Sequence, residues 1–297
     1  MAEDKMHADE VDIDVALVRR LVAAQFPRWA DLPVRLVRST ATVNAIYRLG
    51  DELYVRLPRV GAWADGLERE LRWLPRLAPH LSLRVPEPVC EGRPTPYYPF
   101  PWAIYGWIEG RPYSDALVDD ERRAAEDLAR FVAELRRIDP VAGAPRGGRE
   151  PLRDLDADTR AAIASSGDVI DARAATAAWD LALQAPPYNG TPVWVHADLL
   201  RPNVLVKGGR IRAVIDFGGA GVGDPAADAI AAWSVFGRAG RGVFRDALGV
   251  EDGAWDRARG LALHQAALII PYYTTTNPDF VALAKRTVEE ILADVGA

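Results

Sequence analysis

Val15, Leu17, Val18, Leu21, Val22 and Phe26 share one helical face, which predicts an amphipathic helix that opens the fold and ends before Pro27. The pattern then changes. Runs at 34–37, 45–49 and 53–57 are short and divided by polar or glycine turns, as in a small sheet. A helix carrying Leu67, Leu71, Leu74 and Leu77 follows, and residues 102–107, just after Pro99 and Pro101, predict another strand. Over 121–137 the helical period returns with Ala125, Leu128, Phe131, Val132 and Leu135 inward. Residues 140–150 are rich in Pro and Gly and read as a loop, after which helices resume through Trp179. Val204, Leu205 and Val206 lead into Lys207-Gly208-Gly209-Arg210, and Ile211, Ala213, Val214 and Ile215 resume the apolar run, which predicts a β-hairpin. With the turn centred on the glycine pair, residue 207 faces 210 and Asn203 faces roughly 214. Gly223-Asp224-Pro225 then reads as a helix start, Asp capping and Pro in the first position.

At 297 residues, 49% hydrophobic and 26% charged, the chain is long enough for two lobes with their own cores. No stretch approaches a transmembrane span, and the acidic start MAEDKMHADEVDID lacks the apolar centre of a signal peptide. Cys90 is the only cysteine, so no intrachain disulfide can form, and the expected home is the cytoplasm. The net charge is −6, and its acidic excess falls in the second part of the chain. That split suits a polyphosphate above and a cationic small molecule below; equally, it suits charges that merely decorate exposed helices. A basic stripe adequate for nucleic acid is missing.

The chemistry concentrates in the hairpin and the loop before it. Asn203 and Asp216 come to one open end of the hairpin, and Asp198 precedes Asn203 on a loop where Pro202 removes a backbone donor and Leu199 and Leu200 can anchor inward. Magnesium takes hard oxygen ligands, one or two from protein and the rest from phosphate and water, so an Asp with an Asn carbonyl suits a metal–nucleotide complex. A further carboxylate can then receive a hydroxyl proton. Kinases assemble the same parts. His196 reads as an imidazole that braces the loop, since four histidines, one in the polar N-terminal tail, supply a histidine metal centre poorly.

HADLLRPN, then IDFG, then GDPAAD resembles the aminoglycoside phosphotransferase family of small-molecule kinases. YVRLPR, ERELRWLPRLAP, PWAIYGWIEG and WDRARGLAL stand in the expected order, so the resemblance spans nearly the whole chain. It implies an α+β, protein-kinase-like, two-lobed fold: a small antiparallel β-sheet lobe, 1–105, a hinge, 106–110, and a larger, mainly helical lobe, 111–297. The implied cosubstrate is ATP, with GTP possible, and the implied metal is Mg2+. Asp198 takes the place of the catalytic base, and Asn203 and Asp216 take those of the metal ligands. Arg56 stands where the family commonly has a phosphate-binding Lys, with Glu70 as partner and Glu68 competing for that role. A glycine-free loop offers Ser39 and Thr40 to phosphate, and the backbone at Gly106 and Ile108 would meet adenine. Asp228 resembles the family's buried Asp that bonds back to the catalytic loop; complementing a helix dipole is the simpler role. The activity implied is phosphorylation of a hydroxyl on a small, cationic molecule, an aminoglycoside-type antibiotic. The alternatives are a metabolic kinase for an amino-alcohol or sugar, or a catalytically silent nucleotide-binding protein.

Overall fold

The computed structural model describes residues 10–37 and 44–296. Contacts divide the chain into two units: Met1–Pro79, Arg84–Glu109 and Ile215–Gly218 form the first, and His80–Leu83, Gly110–Val214 and Gly219–Ala297 form the second. Neither unit is contiguous in sequence.

The first unit opens with helix α1, Val15–Gln25, whose N-terminus is fixed by Asp14 Oδ1 accepting from Leu17 N at 2.7 Å. Strands β1, Val34–Leu36, β2, Asn44–Leu49, and β3, Leu53–Pro58, follow, then α2, Ala64–Leu77, β4, Pro88–Gly92, and β5, Trp102–Gly106. They form one antiparallel sheet in the order β1-β2-β3-β5-β4. Val18, Leu21 and Val22 of α1 join Leu49, Val55, Leu57, Trp102 and Ile104 of the sheet in one apolar core. The strands alternate poorly between apolar and polar because this sheet is covered by helix on part of its surface.

The second unit holds the short strand β6, Arg111–Pro112, then α3, Glu121–Arg136, α4, Asp156–Ser165, and α5, Ala172–Ala182. Next come β7, Val193–Val195, β8, Val204–Lys207, β9, Arg210–Val214, and β10, Gly221–Gly223. Helices α6, Ala226–Ala229, α7, Ala231–Ser234, α8, Arg238–Leu248, α9, Asp252–Tyr273, and α10, Pro278–Val295, complete the chain. In α9, the residues from Ala258 to Ala267 are all buried, so it is a core helix packed on several sides rather than an amphipathic surface one. No helix among the described residues is long and apolar enough to cross a membrane.

Two backbone details aim the loop after β7. The β8–β9 turn uses Gly208 and Gly209 at φ 59° and 74°, the left-handed pair that a two-residue hairpin favours. Lys207 faces Arg210 as the glycine turn predicts, but Val204, not Asn203, stands opposite Val214, because a register shift between Leu205 and Val206 gives β9 one extra residue. β10 pairs with β7 and is flanked on its other side by Arg146 through a bridge to Val222. A Cβ on Gly147 or Gly221 would stand 2.6 Å from the facing backbone, so these glycines permit a close three-layer contact beside β7. The helix start at Asp224 falls one residue later than expected: Pro225 takes the cap position of α6, while Asp224 Oδ1 still accepts from Ala226 N at 2.9 Å.

Candidate active site

In the first unit, Arg56 on β3 forms a cluster with two carboxylates. Its Nη1 donates to Glu70 on α2, and its Nη2 donates to Asp216 Oδ1 at 2.9 Å. Asn44 on β2, with its amide oxygen turned toward the guanidinium, accepts from Nε at 3.1 Å and Nη2 at 3.0 Å. Glu70 is saturated: Phe217 N donates to its Oε1 at 2.5 Å, and Tyr105 Oη, whose ring stacks on Tyr54, donates to its Oε2 at 3.1 Å. Glu68 is exposed, so Glu70 is the partner of Arg56. Burial works against the charge of Arg56, yet Glu70 and then Asp216 outweigh it and hold its pKa above the ordinary range. Burial also raises the Tyr105 phenol, and the Glu70 charge pushes it further. With one guanidinium to two carboxylates, the cluster keeps an unbalanced negative charge on Asp216, the half-buried member at φ 66°.

In the second unit, the loop from His196 to Asn203 is anchored from behind. The fully buried Asp228 on α6 accepts from His196 N at 3.0 Å and from Ala197 N at 2.8 Å. Burial lifts the Asp228 carboxyl above the usual range, while the His196 charge and the two amides pull it back. Ala197 adopts φ 69°, a left-handed conformation that costs a non-glycine residue about 1–2 kcal/mol and turns the chain sharply into Asp198. Asp198 N donates to His196 Nδ1 at 3.2 Å, and Ser234 Oγ on α7 donates to Leu199 O at 2.6 Å. Arg201 reaches Val235 O at 2.9 Å and Asp115 Oδ1 at 2.6 Å, pinning the far side of the loop.

The Asp198 carboxylate is gripped by two amides. Asn203 Nδ2 donates to its Oδ2 at 2.8 Å, and Gln265 Nε2 on α9 donates to its Oδ1 at 2.5 Å. Arg149, exposed in the loop before α4, lies within electrostatic reach of Asp198. Gln265 has no motif spacing to the loop; its only signal in the sequence is that His264 and Gln265 interrupt an apolar run.

The remaining expected positions divide. The Gly106 amide is taken by Glu87 O at 3.0 Å, so a nucleobase contact there is left to its carbonyl, whereas the Ile108 backbone makes no hydrogen bond among the described residues. Ser39 and Thr40 lie outside the described residues.

A profile of the phosphotransferase enzyme family, APH, matches residues 34–261, which includes every one of these described positions except Gln265. The chain belongs to that family. No curated protein matches the sequence of this phosphotransferase. Among solved structures it is similar to the GDP complex of wild-type aminoglycoside 2'-phosphotransferase-IIIa, at 20% identity and a TM-score of 0.72 over 95% of this chain and 100% of the other. It is similar to the streptomycin–ATP complex of APH(2")-IIa at 17% identity, TM-score 0.59, over 87% and 91% of the two chains. The apoenzyme of macrolide 2'-phosphotransferase MphH from Brachybacterium faecium is 22% identical, TM-score 0.58, over 92% and 98%. At such identities the likeness establishes the fold, the kinase-like pairing of a β-sheet lobe with a helical lobe.

Asn203 and Asp216 each offer a hard oxygen of the kind that a metal–phosphate complex takes. No three His, Cys, Asp or Glu side chains group as a metal site among the described residues. With Asn203 Nδ2 committed to Asp198, the Asn203 carbonyl oxygen is free to face a cation, and Asp216 keeps Oδ2. One Asp oxygen and one Asn oxygen are what magnesium uses when phosphate and water supply the rest.

Proposed function

We propose that this chain transfers the terminal phosphoryl group of ATP, or of GTP, to a hydroxyl of an aminoglycoside-type antibiotic. The observation that carries the reading is the Asp198 carboxylate, fixed in one orientation by two side-chain amides on a loop whose preceding amides are tied to buried Asp228. In the transfer, the acceptor oxygen attacks the γ-phosphorus and the bond from that phosphorus to the β–γ bridging oxygen breaks. The nucleoside diphosphate leaves with that bond's electron pair, and the hydroxyl proton passes to Asp198. Asn203 and Asp216 would hold magnesium, which when bound neutralises phosphate charge. Arg56 orients Asp216 and adds positive charge on the nucleotide side, and Glu70 holds Arg56 in place. Ser39, Thr40, the Gly106 carbonyl and the Ile108 backbone complete the proposed nucleotide contacts. The cytoplasm supplies both ATP and magnesium.

The aminoglycoside choice draws support from the aminoglycoside phosphotransferases among the similar structures and from the acidic balance of the later part of the chain. The test is phosphorylation, read by mass spectrometry of the acceptor, with ATP or GTP and magnesium against aminoglycosides, macrolides, sugars and amino-alcohols. Modified aminoglycoside is the expected product. A sugar or amino-alcohol as the sole good acceptor moves the protein to a metabolic role, and nucleotide binding without any transfer identifies a silent binder.

A further inference from the structure

Gln265 is 6% exposed in the middle of α9, and its two amide atoms are treated very differently. Nε2 donates to Asp198 Oδ1 at 2.5 Å, whereas Oε1 is buried with no hydrogen-bond partner. The reverse orientation is no remedy, because it would set the amide oxygen against the carboxylate. A buried carbonyl left unpaired is a destabilising feature that native proteins retain sparingly, and such groups concentrate where function requires them. Behind Gln265 lies a crevice of about 10 Å³ whose walls include Leu200, Pro202, Ala262, Ile269 and Phe280. An unbranched apolar side chain would therefore fit this place and remove the unpaired oxygen.

We infer that Gln265 is a positioning residue for Asp198: it holds Oδ1 in place from the far side of the loop, as Asn203 holds Oδ2, and stability is sacrificed for that grip. With both oxygens held, the carboxylate plane keeps one orientation toward the acceptor hydroxyl. Released from Gln265, Asp198 loses the hold on Oδ1 and samples orientations that miss the hydroxyl, a loss felt in kcat because misplacement by about 1 Å can cost about 100-fold.

The inference rests on the phosphotransfer reading. Its test compares wild type with Gln265→Met and Gln265→Glu, using release of ADP or GDP from ATP or GTP with magnesium, with water and with kanamycin as acceptors, alongside nucleotide affinity and thermal melting. Gln265→Met should lower kcat about 10- to 100-fold, leave nucleotide affinity within about 2-fold, and melt at or above the wild-type temperature. Gln265→Glu, of nearly the same shape, should lose at least as much turnover by setting a carboxylate against Asp198. In an Asp198→Asn background, Gln265→Met should change residual turnover by less than about 2-fold, because its action passes through Asp198. A Gln265→Met protein that loses melting temperature and activity together marks Gln265 as scaffold and overturns the inference, as does one that keeps wild-type kcat. A wild type that turns over neither nucleotide with any acceptor overturns the phosphotransfer reading, and this inference with it.

Discussion

Asp198 and Arg56 make contrasting demands on the residues around them. Asp198 is half-buried with two amides donating to its two oxygens, so Asp198→Asn keeps the size of the side chain, gives up one of those two acceptors and, on the proposed mechanism, removes the proton acceptor. Turnover should fall by about 10² or more, the low end of general-base assistance, with nucleotide affinity held within a few fold; near-normal turnover in a steady-state assay would remove Asp198 from the chemistry. Arg56 is different because it neutralises Glu70, which is completely buried. Arg56→Ala should cost about 3–5 kcal/mol in a urea titration, the usual consequence of orphaning one member of a buried pair, and should raise the ATP concentration needed for half-maximal rate. Arg56→Lys keeps the charge but not the fork that spans Glu70 and Asp216, so it should retain measurable activity at reduced stability. Wild-type behaviour in Arg56→Ala would count against any role for this position. The residues of the loop after β7 and of the turn after β9 could be singled out because they are close in the chain and their spacing carries meaning. Gln265 and Asn44 were not, because each meets its partner through tertiary packing that leaves no mark on local spacing.

Elements were legible where local rules dominate and obscure where neighbours decide. The glycine pair announced the β8–β9 turn, since only left-handed backbone closes such a hairpin, but the extra residue in β9 depends on pairing with β8 and has no signature of its own. The contact of helix α9 with α4 supplies a pH-dependent property. Thr159 Oγ1 donates to Leu155 O at 2.7 Å and therefore accepts from His264 Nδ1 at 2.8 Å, while the Trp179 ring lies 6.5 Å from the imidazole. Burial depresses the His264 pKa to about 4, with Arg149 adding to the effect and Asp158 opposing it. A histidine that titrates lower when folded than when unfolded leaves the unfolded chain as the better proton binder. Stability is therefore complete above the unfolded value of about 6.5 and declines as pH falls toward 4, by up to about 3 kcal/mol. His264→Gln, which keeps a donor for Thr159 and cannot titrate, should flatten the decline of the urea midpoint between pH 7 and pH 4.5. An unchanged pH profile would place the acid sensitivity elsewhere.

For the molecule as a whole, a net charge of −6 tests the nature of the acceptor. A cationic acceptor drawn to an acidic surface should bind more weakly as salt rises, because exposed attractions are screened over about 8 Å at physiological ionic strength. Affinity measured calorimetrically from low to moderate salt should therefore fall for an aminoglycoside; a good acceptor whose affinity ignores salt would favour an uncharged metabolite. The fold class, an antiparallel sheet lobe with a helical lobe, was foreseen in outline because periodicity changes after the strand at Trp102. That four residues, Ile215–Gly218, belong with the first unit could not be foreseen, since nothing local separates them from the hairpin they follow. Their placement has a consequence for how the protein is made. Arg56 lies 160 positions from Asp216, and Glu70 lies 147 from Phe217, so neither completes its set of partners until most of the chain has been synthesised. At about 5–20 residues per second, a ribosome needs on the order of ten seconds or more to cover that separation. Throughout that interval the nascent first unit carries a guanidinium and a carboxylate that have only each other and their nearest strands for company. A fragment ending at Glu109 would lack the residues that close this cluster.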